Sequence, residues 1–164
     1  MRLSSRHTRV IVPLLVSAAL IAGCGGTVPR APKPDTKGDA AFAAALKTLC
    51  ASAPLLKPLA SSQSKSTNLA NARANDTSVL GVEGGIQKLT PSLSSASPLA
   101  PTITDAEAML LDVSIRYQSA LDAAERNQLG TLDWAAGVAQ LRLTRAKADL
   151  AKLGARRCFG SDTA

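Results

Sequence analysis

The sequence predicts an all-α protein, a small bundle of three to five helices, and three observations point to that fold class. The chain of 164 residues contains 30 alanines and 23 leucines, and both residue types are strong helix formers. Apolar residues recur at steps of three and four over long stretches, and no stretch alternates as a strand would. A chain of this length supports one core-bearing domain and not two.

The last third of the chain carries the clearest helical pattern. Thr104 and Glu107 form the Thr-x-x-Glu pattern of a capping box, and the helix that follows should end at Gly130. A second helix should end at Gly154. Because only about two or three residues separate the two helices, we expect a long antiparallel C-terminal hairpin. Its seam should consist of Ala106, Leu110, Val113, Tyr117, Ala120 and Ala124 on the first helix and of Leu132, Ala136, Ala139, Leu143, Ala146, Leu150 and Leu153 on the second.

The first helix and the aromatic residues supply the rest of the expected core. This helix should begin at Asp39 as its N-cap and stop before Pro54. We expect Tyr117 and Trp134 to pack in the core rather than to line a pocket. The apolar face of the first helix consists of Phe42, Leu46, Leu49 and Cys50.

Between the first helix and the hairpin the signals are weaker. Serine and asparagine are frequent over residues 58–75, which predicts a helix of low intrinsic stability. A short helix should follow and end near Leu89, because three glycines between positions 81 and 85 each cost about 1 kcal/mol of helix propensity. Residues 92–101 contain two prolines and should form a linker.

The N-terminus has the pattern of a secretory signal. Three arginines precede an apolar run of 13 residues, Val10–Ala22, that ends in small residues. This run is too short to span a bilayer core of about 30 Å. Residues 20–24, with the sequence Leu-Ile-Ala-Gly-Cys, resemble the lipobox of bacterial lipoproteins, with Ile21 where leucine is commoner.

The lipobox resemblance implies a processed and lipidated chain. A diacylglyceryl group would be joined to the Cys24 sulfur, and cleavage after Gly23 would remove residues 1–23 as a signal peptide. Acyl chains such as palmitate would then anchor an extracytoplasmic protein to the bacterial cell membrane. Residues 24–38, rich in glycine and proline, would form a tether, and residues 39–160 would form the single helical domain.

The mature part resembles the small alanine-rich helical lipoproteins and secreted proteins of actinobacterial type. Those proteins place one cysteine in the first helix and another in a C-terminal Leu-Gly-x-x-x-Cys-like end, which corresponds here to Leu153, Gly154 and Cys158. Proteins of this kind have no assigned activity. The resemblance therefore implies a fold and no particular function.

An exported chain carries Cys50 and Cys158 into an oxidising compartment, where we expect them to form a disulfide. Both cysteines lie at or beyond the C-terminal ends of predicted helices, so the first and last helices must finish at the same end of the bundle. A plain up-down-up-down bundle of four helices fails this test. Three helices, five segments, or four helices with a long crossover over residues 90–103 all satisfy it, and we favour the version with five segments.

The residue inventory excludes most catalytic chemistry. The single histidine, His7, lies in the predicted leader, so the mature chain has no histidine for a catalytic triad, a zinc site or a proton relay. The sequence contains no CxxC, Walker or GxGxxG motif. The acids of the hairpin should form surface pairs, Asp112 with Arg116 and Asp122 with Arg126. We therefore expect no enzyme activity, no cofactor and no metal site.

The charge distribution leaves one candidate interaction patch. The chain has a formal net charge of +7, but the residues from Asp39 onward include 13 basic and 11 acidic side chains, and with export and few aromatics this disfavours nucleic-acid binding. The patch is either a solvated helix face or a contact for an envelope protein or an anionic cell-wall polymer. The sequence thus predicts a structural or interaction lipoprotein, with a small-ligand-binding helical module as the alternative. The six cations of the patch are Arg142, Arg145, Lys147, Lys152, Arg156 and Arg157.

Overall fold

The computed structural model describes residues 36–160, and in this range it contains four α-helices and no strand. The predicted all-α fold class is therefore confirmed. Cys24 and the predicted signal peptide lie outside the described residues, and the first helix begins within the predicted tether. The helices are α1 (Thr36–Ser52), α2 (Lys65–Leu89), α3 (Ala100–Glu125) and α4 (Leu129–Lys152), with a 3-10 turn, Thr90–Ser92, after α2.

The long C-terminal hairpin forms as predicted. Helices α3 and α4 have 26 and 24 residues and are joined by residues 126–128. Every position of the predicted seam is buried except Ala136, which is partly buried. The carboxylate of Asp112 lies 2.8 Å from Arg142 Nε, which joins the two helices near their middle. Gly154 adopts a φ of +91° just after α4 and ends it as predicted.

The end of α3 differs from the prediction, which placed it at Gly130. The helix ends at Glu125, because Asn127 adopts the left-handed conformation with a φ of +57°. The backbone N–H of Gln128 then donates to the carbonyl of Ala123 at 2.8 Å, as in a Schellman motif. Asparagine tolerates this conformation better than most residues. Gly130 therefore lies inside the first turn of α4.

Two predicted helix starts are also wrong. Helix α3 begins at Ala100, ahead of the predicted capping box, and the hydroxyl of Thr104 donates to the Ala100 carbonyl within the helix. A proline in the first turn of α3 explains the earlier start, because its missing N–H costs nothing there. Asp39 is not an N-cap, since it lies inside the first turn of α1. Its carboxylate instead accepts a hydrogen bond of 2.6 Å from the hydroxyl of Ser97.

The two weak segments expected between α1 and the hairpin form one continuous helix, α2. Its apolar stripe of Val79, Val82 and Ile86 is buried and outweighs the low helix propensity of its glycines. Gly85 has a packing role, since a Cβ atom at that position would lie 2.5 Å from Cδ2 of Leu49 on α1. The predicted fold with five segments is therefore wrong.

An asparagine ladder on α2, formed by Asn68, Asn71 and Asn75, holds the chain between α1 and α2. The side chain of Asn75 accepts from the N–H of Lys57 and donates to its carbonyl, both at 2.8 Å. Asn68 makes the same pair of bonds to Ala60, at 3.2 and 2.9 Å. Further bonds of this kind run from Asn71 Nδ2 to the Pro58 carbonyl (2.9 Å) and from Ser78 Oγ to the Pro54 carbonyl (3.4 Å).

These bonds show that residues 54–60, the middle of the connecting segment 53–63, run alongside α2 without forming a helix, before a turn in which the N–H of Gln63 donates to the carbonyl of Ala60. Between Pro54 and Ala60 the segment passes ten residues of α2, which is about 15 Å at the helical rise of 1.5 Å per residue. The segment runs antiparallel to α2 and carries the chain from one end of the bundle to the other. The segment therefore reverses the chain direction once between α1 and α2. Because of this reversal, α1 and α4 can finish at the same end of the bundle without a fifth helical segment or a crossover over residues 90–103.

Helix α1 lies at the end of the bundle where α2 and α4 finish and α3 begins. Cys50 forms a disulfide with Cys158, with the two Cα atoms 4.3 Å apart, as predicted. This bond ties the end of α1 to the chain just beyond α4. The first and last helices thus finish at the same end of the bundle, as the disulfide requires.

The core has two parts of different composition. The part next to α1 is rich in large side chains from all four helices, among them Phe42, Leu46, Ile86, Leu110, Leu143 and Leu150. The part next to the hairpin turn is built mainly from alanine, and it consists of Ala120, Ala123, Ala124, Leu132 and Ala135. The small side chains there let α3 and α4 approach closely.

Candidate functional site

The six cations of the predicted patch do not form one surface. Arg142 is half-buried and pairs with Asp112, and Lys152 pairs with Asp149 at 2.7 Å. Lys147 follows Arg142 by five positions, so at 3.6 residues per turn it lies on the other flank of the buried stripe. Partial burial lowers the pKa of Lys147 below its ordinary value.

Arg156 and Arg157 instead line a separate cavity of about 530 Å³ at the disulfide end of the bundle. Lys47 of α1 lines the same cavity. The disulfide explains this placement, because Lys47 precedes Cys50 by one helical turn and the two arginines directly precede Cys158. We call this the cationic cavity, and the rest of its lining is Ala51, Gly154 and Ala155.

The cationic cavity has the chemistry of an anion site. Its charged lining residues within the described part of the chain are three cations, and no carboxylate is among them. Lys47 was not predicted as part of this site. The predicted disulfide could have indicated it, because a residue one helical turn away from a bonded cysteine lies close to the other cysteine.

The outer side of the hairpin carries a bridge of ionic and aromatic contacts. The carboxylate of Asp112 pairs with Arg116 at 3.3 Å, as predicted, and with Arg142 across the seam. The guanidinium of Arg116 lies 5.6 Å from the ring centroid of Trp134, which is cation–π geometry. The second predicted pair, Asp122 with Arg126, does not form, although the structure describes both side chains.

The prediction that Trp134 packs in the core is wrong. Its side chain is 58% exposed, whereas Tyr117 is 5% exposed and buried as predicted. Trp134 directly precedes the buried Ala135 on α4, beside the part of the core that is built mainly from alanine. A large indole ring has no room in so narrow a seam. Burial raises the pKa of Tyr117 to about 12.

Further large apolar side chains are exposed on both sides of the Asp112 bridge. Leu111 and Ile115 lie one turn apart on α3, with 43% and 54% of their surface exposed. Leu141, two turns after Trp134 on α4, is 56% exposed. We call this surface the outer face, and it consists of Leu111, Ile115, Trp134, Leu141, Arg116, Arg142 and the exposed Arg145. Such a mixture of exposed apolar and cationic side chains is typical of binding surfaces.

Two carboxyl groups face each other between α2 and α3. Glu83 is buried and accepts a hydrogen bond from the side-chain amide of Gln87. Burial, and then the nearby charge of Glu83, raise the pKa of Glu107 above its ordinary value. Sequence analysis assigned Glu107 to the first turn of its helix, but the early start of α3 places it well inside the helix, against α2.

Among residues 36–160, no group of three or more His, Cys, Asp or Glu side chains is arranged to hold a metal ion. No helix in the same range is long and apolar enough to cross a bilayer. Comparison with protein-family models, curated proteins and solved structures gives no match.

Proposed function

We propose that the chain is an extracytoplasmic lipoprotein, anchored to the bacterial cell membrane through acyl chains on Cys24, and that its helical domain is a non-catalytic interaction module. The lipobox-like residues 20–24 support the anchor. The disulfide between Cys50 and Cys158 supports export, because structural disulfides persist in oxidising compartments.

The composition of the outer face is the main support for an interaction module. It combines an exposed tryptophan and exposed aliphatic side chains with arginines, and tryptophan and arginine are the residue types that dominate binding energy in protein interfaces. Arg116, Arg142 and the exposed Arg145 outnumber the one carboxylate of the bridge, Asp112, and this excess of positive charge favours an acidic partner. The partner that fits this chemistry is an envelope protein with an acidic and partly apolar surface.

The cationic cavity supports a second contact, with an anionic cell-wall polymer. Lys47 and Arg156 lie on an end of the bundle that differs from the outer face, so one molecule can hold both partners at once. A lipid-anchored module of this kind would join an envelope protein to the wall. Binding of a small ligand is the alternative function, and it is favoured by a groove between α2 and residues 49–57.

A crosslinking pull-down from intact cells tests the interaction module. The native chain should capture a specific partner, and Trp134→Ala and Leu141→Ala should each reduce the captured amount several-fold. Leu129→Ala is the matched control, since Leu129 is 44% exposed and lies outside the outer face. Equal capture by the native chain and the two outer-face variants would contradict the proposal.

Membrane fractionation tests the anchor separately. The native chain should incorporate labelled fatty acid and partition with membranes, whereas Cys24→Ala should do neither. Incorporation that persists in Cys24→Ala, or its absence from the native chain, would contradict lipidation at this residue.

A further inference from the structure

A long groove lies between α2 and the chain that leaves α1, and neither the anchor nor the outer face uses it. Its volume is about 640 Å³, within the range of small-molecule sites. One wall is the segment from Leu49 to Lys57, and the other is the part of α2 between Arg73 and Val82. Ten residues of helix give the groove a length of about 13 Å.

The groove is polarised along its length. Leu49 and Val82 lie at the end near α1, and Pro54 and Leu55 line the middle. The two cations of the lining, Lys57 and Arg73, lie together at the opposite end.

The hydrogen bonds of the asparagine ladder fix this order. The backbone of Lys57 is bonded to Asn75, two positions after Arg73, whereas Leu49 contacts Gly85. Arg73 also lies 3.4 Å from Glu125, but both side chains are at least half exposed, so this ion pair is weak.

Gly81 on the floor of the groove has no role in packing the described chain. A Cβ atom built at Gly81 would meet nothing within 4 Å, unlike one at Gly85. A glycine in the interior of a helix lowers helix stability. Its effect here is to leave the floor of the groove open to a ligand.

We propose that this groove binds a free long-chain fatty acid, with its carboxylate between Lys57 and Arg73 and the adjoining part of its alkyl chain along Leu55 and Val82. An elongated apolar groove with two cations at one end is complementary to an alkyl chain with one terminal anion. Burial of the alkyl chain and of the exposed Leu55 side chain drives binding. This site does not depend on acylation of Cys24, so it goes beyond the proposed anchor.

Photocrosslinking of the full chain in isolated membranes tests the site. The probe is palmitate that carries a photoreactive group on its alkyl chain, added without the cofactors that protein acylation needs. Peptide mapping should place the label in residues 49–57 and 73–82. Unlabelled palmitate should compete at least tenfold better than its methyl ester, which lacks the carboxylate.

Two sets of variants separate the groove from general effects. Gly81→Leu fills the floor and should reduce labelling at least tenfold, without lowering the melting temperature, since leucine favours a helix. Gly130→Leu is the matched control, because Gly130 is a helical glycine on α4 with nothing within 4 Å of its Cβ position, and it should label as the native chain does. Combined Lys57→Gln and Arg73→Gln should remove the preference for palmitate over the ester.

Label found mainly outside the groove, or unchanged labelling of Gly81→Leu, would overturn the proposal. Intermolecular crosslinks at these residues would assign the groove to a second copy of the chain instead. Increased labelling of Cys24→Ala would show that the chain's own anchor occupies the groove, which also contradicts a site for free fatty acid. Failure of the groove leaves the anchor intact, because Cys24 lipidation is measured separately.

Discussion

The two halves of the domain are held together by different interactions. The α3–α4 hairpin is joined by a continuous apolar seam, and its polar bridge through Asp112 lies outside that seam. Residues 53–63 depend instead on side-chain amides that bond to the backbone, and helix α1 adds a disulfide to its buried apolar face. An apolar repeat is therefore one way to join chain segments, and asparagines can do the same for a segment without such a repeat.

Removal of the disulfide should have the largest effect and should fall on the N-terminal half. In the chain-entropy model, a bond that closes a loop of 108 residues stabilises the fold by about 4 to 5 kcal/mol. Combined Cys50→Ala and Cys158→Ala should therefore lower the free energy of unfolding by several kcal/mol in denaturant titration. A loss below about 1 kcal/mol would show that α1 is held mainly by its apolar face.

Asn75→Ala should have the next largest effect. The substitution removes both hydrogen bonds to the backbone of Lys57, and an unpaired backbone group in a partly buried site costs about 1 to 3 kcal/mol. We expect a loss of about 2 kcal/mol in the free energy of unfolding. Thr77→Ala, at an exposed position of the same helix, is the control and should change it by less than about 0.5 kcal/mol. Equal effects of the two variants on the free energy of unfolding would show that the asparagine ladder does not stabilise the fold.

The glycines of α2 give a smaller and opposite effect. Gly84→Ala should raise stability by about 0.5 to 1 kcal/mol, because alanine favours a helix and its Cβ would meet nothing within 4 Å. Gly85→Ala should not give this gain, since its Cβ would displace Leu49 of α1. Thermal unfolding of both variants checks the difference. The same stabilisation in both would contradict the close approach of α1 to α2.

The smallest effect concerns pH and the carboxyl groups between α2 and α3. Because folding raises the pKa of Glu107 above its ordinary value of 4.5, the folded chain binds this proton more tightly than the unfolded chain does. Its ionisation therefore lowers stability as the pH rises above that value, and the penalty is absent in more acidic solution. Glu107→Gln should raise the melting temperature slightly at pH 7, with the gain disappearing below about pH 4. A gain that is independent of pH would contradict this cause.

The same difference between the halves explains what the sequence could predict. Periodicity identified the hairpin seam because apolar side chains at steps of three and four must share a face. The predicted export identified the disulfide, because it places both cysteines in an oxidising compartment. Neither argument applies to Asn68 and Asn75, whose partners are backbone groups with no pattern in the sequence. The reason that Trp134 is exposed is also not local, since it depends on how closely α3 and α4 approach.

The candidate sites follow the same division. Arg156 and Arg157 were identified as cations, but only the fold shows that Lys47 shares their cavity. The groove beside α2 was not predicted, because it needs the chain after α1 to run alongside α2 without forming a helix, whereas the serine and asparagine content over residues 58–75 predicts a weak helix that begins in this part of the chain. A run of asparagines at helical spacing is the signal that could have indicated a ladder.

Amide hydrogen exchange at Lys57 tests most directly the claim that the asparagine ladder holds the N-terminal half. In the native chain this N–H donates to Asn75 Oδ1 at 2.8 Å, so it should exchange much more slowly than in the unfolded chain. In Asn75→Ala its protection should be lost, while the amides of the hairpin seam keep theirs. Exchange at the unfolded rate in the native chain, or unchanged protection in Asn75→Ala, would contradict the account.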